Sequence, residues 1–149
     1  SITKVSDITG KESVKYIMGG PAGHYRGSAW RRYYVQKVGQ NSMPTSLVTY
    51  TSGGVFTMKK NSWVRVNALG NLHTSGEQPK YGKILVNGKI VSTAFYESSR
   101  QWQTLNMDYT FPAMKGDKVE VYWRAAGGNP YLHLYNPRSG EGLLEFHAL

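Results

Sequence analysis

The side chains of most chemical promise in this sequence are rings interleaved with cations. Tyr25-Arg26, the run Trp30-Arg31-Arg32-Tyr33-Tyr34, the spaced set Tyr96, Arg100 and Trp102, and Tyr122-Trp123-Arg124 all mix flat aromatic faces with guanidinium groups. Sugars stack their C–H faces on such rings, and guanidinium forks grip carboxylates. Single-stranded nucleic acid is held by the same parts. Tyr and Trp on strands also serve as core and as subunit interface, and that reading covers most of these rings. Tyr25, Arg26, Tyr96, Arg100, Tyr131 and Arg138 fall in or near turns and are the candidates for ligand contact.

Other chemistries find less support. The histidines are His24, His73, His133 and His147, and none stands in an H-x-H or H-E-x-x-H spacing, so no metal site is predicted. Cysteine is absent, which excludes a thiolate zinc site, an iron–sulfur cluster, a thiol nucleophile and a disulfide scaffold. A glycosidase needs two carboxyl groups ~5–9 Å apart across a cleft. Here Asp117 reads as a turn residue, Glu120 as a solvent-facing strand residue and Glu141 as part of a Ser-Gly-Glu-Gly turn. There is no G-x-S-x-G motif, and GGPAGHYRG (Gly19–Gly27) lacks the Gly-Lys-Ser/Thr ending of a phosphate-binding loop. The sequence therefore predicts neither an enzyme nor a bound cofactor.

Lysine and arginine number 18 against 9 acids, a net charge of +9. The cations are spread along the chain, with Arg31-Arg32 and Lys59-Lys60 the adjacent pairs, so no polybasic arm marks a nucleic-acid binder. The charge favours contact with anionic surfaces, acidic or phosphate-bearing glycans among them.

Elements that must position these residues follow from periodicity, which is two almost throughout. Ala29–Val38 alternates with Trp30, Arg32, Tyr34 and Gln36 on one face; Trp63–Leu69 alternates with Val64, Val66 and Ala68 on one face. Lys83–Ser92 reads KILV-NG-KIVS, a two-residue hairpin whose Asn87-Gly88 supplies the positive φ angles that turn requires. Gln101–Phe111, Lys118–Arg124, Pro130–Tyr135 and Leu143–Ala148 are further strands, with Ser46–Thr51 and Val55–Met58 as short ones. Thr9–Ile17 is a weak helix candidate ended by Gly19-Gly20-Pro21, and Gly19–Gly27 and Gly70–Gly82 read as loops. Turn signals every 8–12 residues predict an all-β fold, an antiparallel β-sandwich (jelly roll) of about nine or ten strands. The length predicts one domain, 1–149, in which 1–28 is an N-terminal connector and loop. No run approaches the ~18 apolar residues of a membrane helix. The chain opens on Ser1 with no signal peptide, which reads as a processed or excised piece.

Four segments carry a family resemblance. GGVFTMKKNSWVRVNAL (Gly53–Leu69) resembles the "G-x-F-T-x-P-x-x-G-x-Y" region of trimeric jelly rolls, the tumour-necrosis-factor-like domains and complement heads. ILVNGKIV (Ile84–Val91) looks like their exposed hairpin, and TFPAMKGDKVEVYW (Thr110–Trp123) resembles their "L-x-x-GD-x-V" segment. LLEFHAL at the C-terminus is similar to their closing strand. Lys59 and Asn61 stand where that pattern has proline and glycine. The likeness runs from Gly53 to Leu149, and such heads recur at bacteriophage tail-fibre and tail-needle tips. It implies a non-enzymatic head with a threefold interface lined by aromatics and exposed loops that touch a host-surface glycan or receptor. It places the protein on a virion tail or outside the cell. The competing readings are a monomeric carbohydrate-binding module, a polyanion-binding barrel and a small glycan-cleaving enzyme.

Overall fold

The structure, a computed structural model, describes residues 12–19, 24–39, 47–51, 53–74, 76–97, 100–126, 131–133 and 142–149, with backbone alone at 24–26 and 131–133. Two antiparallel sheets pack face to face. The larger contains β1 (Ser13–Met18), β2 (His24–Arg26), β3 (Val35–Val38), β6 (Ser62–His73), β9 (Trp102–Ala113), β11 (Tyr131–His133) and β12 (Gly142–Ala148). The smaller contains β4 (Val48–Tyr50), β5 (Val55–Met58), β7 (Lys80–Val86), β8 (Lys89–Tyr96) and β10 (Lys118–Ala125). The larger runs β2-β11-β6-β12-β1-β3 with β9 on the other edge of β6; the smaller runs β4-β5-β10-β7-β8. From β5 onward the chain crosses between sheets at β6, β7, β9, β10 and β11, the connectivity of a jelly roll. The all-β antiparallel sandwich expected from the period-2 pattern is what the chain forms.

Alternation fills the space between the sheets. Val64, Val66 and Ala68 of β6, Leu105, Met107 and Phe111 of β9, Val119, Val121 and Trp123 of β10, and Leu144 and Phe146 of β12 are all buried. Removing that apolar surface from water is the main favourable contribution to the fold. Trp123 needs room from both sheets. A Cβ on Gly82, its partner across β7, would sit 2.7 Å from the indole, and one on Gly70 of β6 would sit 2.9 Å from it. Glycine at both positions is what lets the ring lie flat between the layers.

Four expectations are corrected. The proposed helix at Thr9–Ile17 is strand β1 from Ser13 onward, because Val14, Tyr16 and Met18 alternate into the core; residues 9–11 lie outside the described residues. The strand expected over Ala29–Val38 is broken. Arg31 forms an isolated bridge with Trp123 of the smaller sheet, whereas β3 pairs with β1 of the larger, so the chain changes layers between them. The loop expected over Gly70–Gly82 shrinks to residues 74–79, since β6 continues through His73 and β7 begins at Lys80. Within Gly19–Gly27, Gly19 takes φ 80° to end β1 and His24–Arg26 form β2.

The Asn-Gly hairpin is present: Asn87 has φ 49° and Gly88 φ 81°, joining β7 to β8. Val86 pairs with Lys89 and Leu85 with Ile90, but the register shifts between Ile84 and Leu85, so that Lys83 pairs with Thr93 and Tyr81 with Phe95.

Candidate binding site on the outer face of the smaller sheet

The outward positions of β10 are Glu120, Tyr122 and Arg124, because Val119, Val121 and Trp123 are committed to the core. On β7 the outward positions are Tyr81 and Lys83, since Gly82 and Ile84 face in. Register then sets Arg124 beside Tyr81 and Tyr81 beside Phe95, one row across three strands, and Tyr122 beside Lys83 in the next. The segment that bridges at Arg31 lays Trp30 over the end of these rows.

The result is a platform of stacked rings and cations. The Tyr81 and Phe95 rings stack at 4.9 Å with 19° between planes, and Trp30 meets Tyr81 edge-on at 6.3 Å. Lys83 Nζ lies 4.2 Å from the Trp30 centroid and 5.3 Å from that of Tyr122. The Arg124 guanidinium lies 4.5 Å from Tyr81 and 5.4 Å from Trp30, and that of Arg32 lies 5.7 Å from Tyr122. Such contacts contribute about 0.5–2 kcal/mol each, rising as water is excluded. Arg124 Nη1 donates to the Ser28 carbonyl at 3.3 Å, while its buried Nε has no hydrogen-bond acceptor among the described residues. The rings around it supply the electrostatic compensation.

Glu120 is the one carboxylate of the platform, and it is already engaged. Its Oε2 accepts from Arg32 Nη1 at 2.8 Å and from the Tyr122 hydroxyl at 2.7 Å. Burial raises the Tyr122 hydroxyl above its ordinary value, and the Glu120 bond and charge raise it further against the opposing pull of Arg32. The phenol therefore stays a donor. Among the described residues neither Lys83 nor Arg124 has a carboxylate partner. Trp30, Arg31, Arg32, Gly53 and Tyr122 line an open depression of about 310 Å³ at the head of the platform. The patch thus offers ring faces for C–H groups and cations for a carboxylate, sulfate or phosphate. With its one carboxylate engaged by Arg32 and Tyr122, the patch presents ring faces and cations, a geometry suited to binding.

The residues nominated from the sequence are dispersed. The backbone sets Tyr131 opposite Arg26 on β11 and β2, with Tyr25 opposite Leu132 on the other face. Tyr96 ends β8 at the far edge of the smaller sheet and is 48% exposed. Arg100 is exposed before β9, and its carbonyl accepts from Lys80 Nζ at 2.6 Å. Arg138 lies outside the described residues. Register therefore joins Arg26 with Tyr131 and leaves Tyr96 and Arg100 elsewhere. Tyr81, Lys83 and Phe95 of the platform escaped the sequence reading. Alternation along KYGKILV could have found Tyr81 and Lys83, but Phe95 joins them only through the register shift in the hairpin.

Lys80 is fully buried at the start of β7, with Nζ donating to the carbonyls of Gln78 at 3.1 Å and Arg100 at 2.6 Å. Burial pushes its ammonium down to about 8, against the upward pull of the Glu77 charge. This cation ties the loop before β7 to the loop before β9.

No protein-family model and no curated protein sequence matches the chain. Solved structures do match in shape. The Eiger TNF of S. frugiperda superposes with a TM-score of 0.67 at 13% identity, covering 93% of this chain and 92% of that one. Murine APRIL superposes with a TM-score of 0.64 at 12% identity, covering 93% and 99%. The fold is a tumour-necrosis-factor-like jelly roll. At these identities the likeness is one of architecture.

Proposed function

We propose that this chain is a non-enzymatic receptor-binding head that works as a homotrimer outside the cell and grips an anionic glycan with the outer face of its smaller sheet. The observation that carries the reading is the Trp30–Tyr81–Tyr122 platform with Lys83 and Arg124 over its rings. The jelly-roll fold supports it, because the sequence resemblance to trimeric heads and the shape likeness to tumour-necrosis-factor proteins agree. A phage tail-fibre or tail-needle tip is the setting we favour. Lipopolysaccharide is anionic, and a +9 protomer is drawn to it. Three copies on one rigid head would raise a modest sugar affinity by about 10²–10⁴ through avidity.

The face left for threefold association is the outer face of the larger sheet, where Trp63 is 58% exposed and its carbonyl accepts from the Leu149 amide at 2.9 Å. Tyr25, Arg26, Tyr131 and Arg138 remain proposed as an outlying contact set, as do Tyr96 and Arg100. The double change Tyr25→Ala with Arg26→Ala is expected to weaken cell adsorption and leave the melting temperature unmoved.

A second reading, a monomeric carbohydrate-binding module, is favoured by the polar network over much of that larger-sheet face: Arg65 paired bidentately with Asp108 at 2.9 and 2.7 Å, and Glu145 with His147 at 2.8 Å. Light scattering on a sizing column separates the two. A mass near three times the 16.7 kDa protomer supports the trimer, and a mass near one protomer supports the module. Binding of acidic against neutral oligosaccharides then tests the platform. Equal affinity for both would remove its cations from the role assigned here.

A further inference from the structure

We infer that three turns at one end of the sandwich form a lysine-rich, apolar-tipped surface that docks on the headgroup phosphates of an anionic phospholipid bilayer. The turns are Lys59-Lys60-Asn61 between β5 and β6, Asn87-Gly88 between β7 and β8, and Met114-Lys115-Gly116-Asp117 between β9 and β10. Hydrogen bonds stitch them into one unit. The Gly116 amide donates to the Met58 carbonyl and the Met58 amide to the Asp117 carbonyl, both at 2.8 Å. The Lys115 amide donates to Asn61 Oδ1 at 2.8 Å. The Asn87 amide donates to the Lys118 carbonyl at 2.9 Å, and the Lys118 amide donates back to Asn87 Oδ1 at 2.9 Å. Lysines distant in sequence are thereby held at one end of both sheets.

The charge of this end is one-sided. Lys59, Lys89, Lys115 and Lys118 are exposed, and among the described residues none of them forms an ion pair. The nearby acids are already engaged. Asp117 accepts from Asn87 Nδ2 at 3.0 Å and from the Met114 amide at 2.9 Å. Glu12 is paired with Lys60 at 2.5 Å, and Glu120, two residues along β10 from Lys118, is held by Arg32 and Tyr122. Beside two of the lysines stand apolar side chains turned to solvent: Met114, next to Lys115, is 56% exposed, and Ile90, next to Lys89, is 58% exposed. Ammonium groups paired with exposed apolar side chains suit a bilayer surface, where lysines meet headgroup phosphates and apolar chains reach the acyl boundary. A water-soluble polyanion would satisfy the lysines and leave Met114 and Ile90 in water, so the bilayer is the better fit. Neither the ring platform nor Trp63 takes part.

The test is co-sedimentation of the whole chain with phosphatidylcholine vesicles, with and without phosphatidylglycerol. The vesicles carry no sugar, so the outcome is independent of the glycan reading. The expected result is binding to the anionic vesicles that weakens as salt is raised, with little binding to the neutral ones. Lys115→Glu should lower partitioning by about fivefold or more, whereas Lys37→Glu, the same change of charge on exposed edge strand β3 of the other sheet, should lower it less than about twofold. Met114→Ser combined with Ile90→Ser keeps every charge and should still lower it by about fivefold or more. Circular dichroism establishes that each variant is folded, and Lys89→Glu repeats the charge test if Lys115→Glu is not. Absence of a preference for anionic vesicles in the parent protein overturns the inference. Equal losses in Lys115→Glu and Lys37→Glu would reduce the binding to net charge and overturn it too. Full binding by the folded Met114 and Ile90 variant would make the ligand a polyanion and overturn the bilayer.

Discussion

The outer faces of the two sheets are built from similar residue types and reach opposite electrostatic states. On the larger sheet, cations meet carboxylates, Arg65 with Asp108 and Lys15 with Glu145, and the His147 ring is hydrogen-bonded to the same Glu145. Amides and hydroxyls meet each other, Asn67 with Asn106 at 3.1 Å and Thr104 with Asn71 at 2.9 Å. Arg65 holds the Asp108 carboxyl below its ordinary range, chiefly by hydrogen bonding. On the smaller sheet, Lys83 and Arg124 meet rings, and Glu120 neutralises Arg32. Carboxylate partners cancel a cation's field, whereas a ring quadrupole leaves most of it projecting outward. One face is closed by its own pairs, and the other keeps charge to offer a partner. The exception on the closed face is its end at Trp63, which is apolar and uncovered.

That difference can be attacked from four sides. The largest effect is expected from Trp63→Arg. It should drop the solution mass from three protomers to one with no loss of fold, as light scattering and circular dichroism would record. A trimer that survives it places the threefold interface on another surface. Next comes the platform. Trp30→Ala combined with Arg124→Ala should reduce affinity for an acidic oligosaccharide by about tenfold or more, the equivalent of ~1.4 kcal/mol. In the parent protein that affinity should fall as salt is raised, because exposed charges are screened over ~10 Å at 0.1 M. Affinity indifferent to both changes would deny the platform its role.

A smaller effect is expected between the sheets, at Lys80. Its folded value of about 8 lies below the ordinary 10.5, so the unfolded chain binds more protons between the two. Stability from this residue is present above 10.5 and is lost as pH falls through about 8. The melting temperature should therefore climb between pH 8 and 10, and Lys80→Met should flatten the climb. An identical profile in both proteins would assign the climb to other groups. The smallest effect is expected from Asp108→Asn on the closed face. Exposed ion pairs contribute little, so oligosaccharide affinity should be unchanged and the melting curve nearly so. A marked loss of affinity would mean the two faces cooperate in binding.

Much of this architecture is legible in the chain itself. The period of two over Trp63–Leu69 identified Val64, Val66 and Ala68 of β6 as core residues, because a strand buried on one face must alternate. Asn87-Gly88 identified its hairpin, because few residue pairs accept two positive φ angles. The errors have equally local causes. Thr9–Ile17 could be taken for a helix because the pattern VKYIM, with Tyr16, Ile17 and Met18 all buried, does not alternate cleanly. The strand expected through Ala29–Val38 ignored that one chain can serve both layers, which Arg31 and Val35 do within five residues.

The site was less legible than the fold. Composition announced cations and rings, and Tyr122 and Arg124 were readable as outward positions of one strand. Which of them would meet was set by register between strands distant in sequence, and a single shift beside Leu85 decides that Phe95 stacks on Tyr81. The same holds for Lys59, Lys89 and Lys115. They are scattered along the chain, yet the hydrogen bonds of their turns bring them to one end of the sandwich. Local chemistry, turn residues and alternation, determined the sheets and their core, because those depend on each residue's own neighbours. Tertiary structure alone decided the platform and the lysine-rich end, because cross-strand pairing and contact between turns depend on where the rest of the chain has been folded.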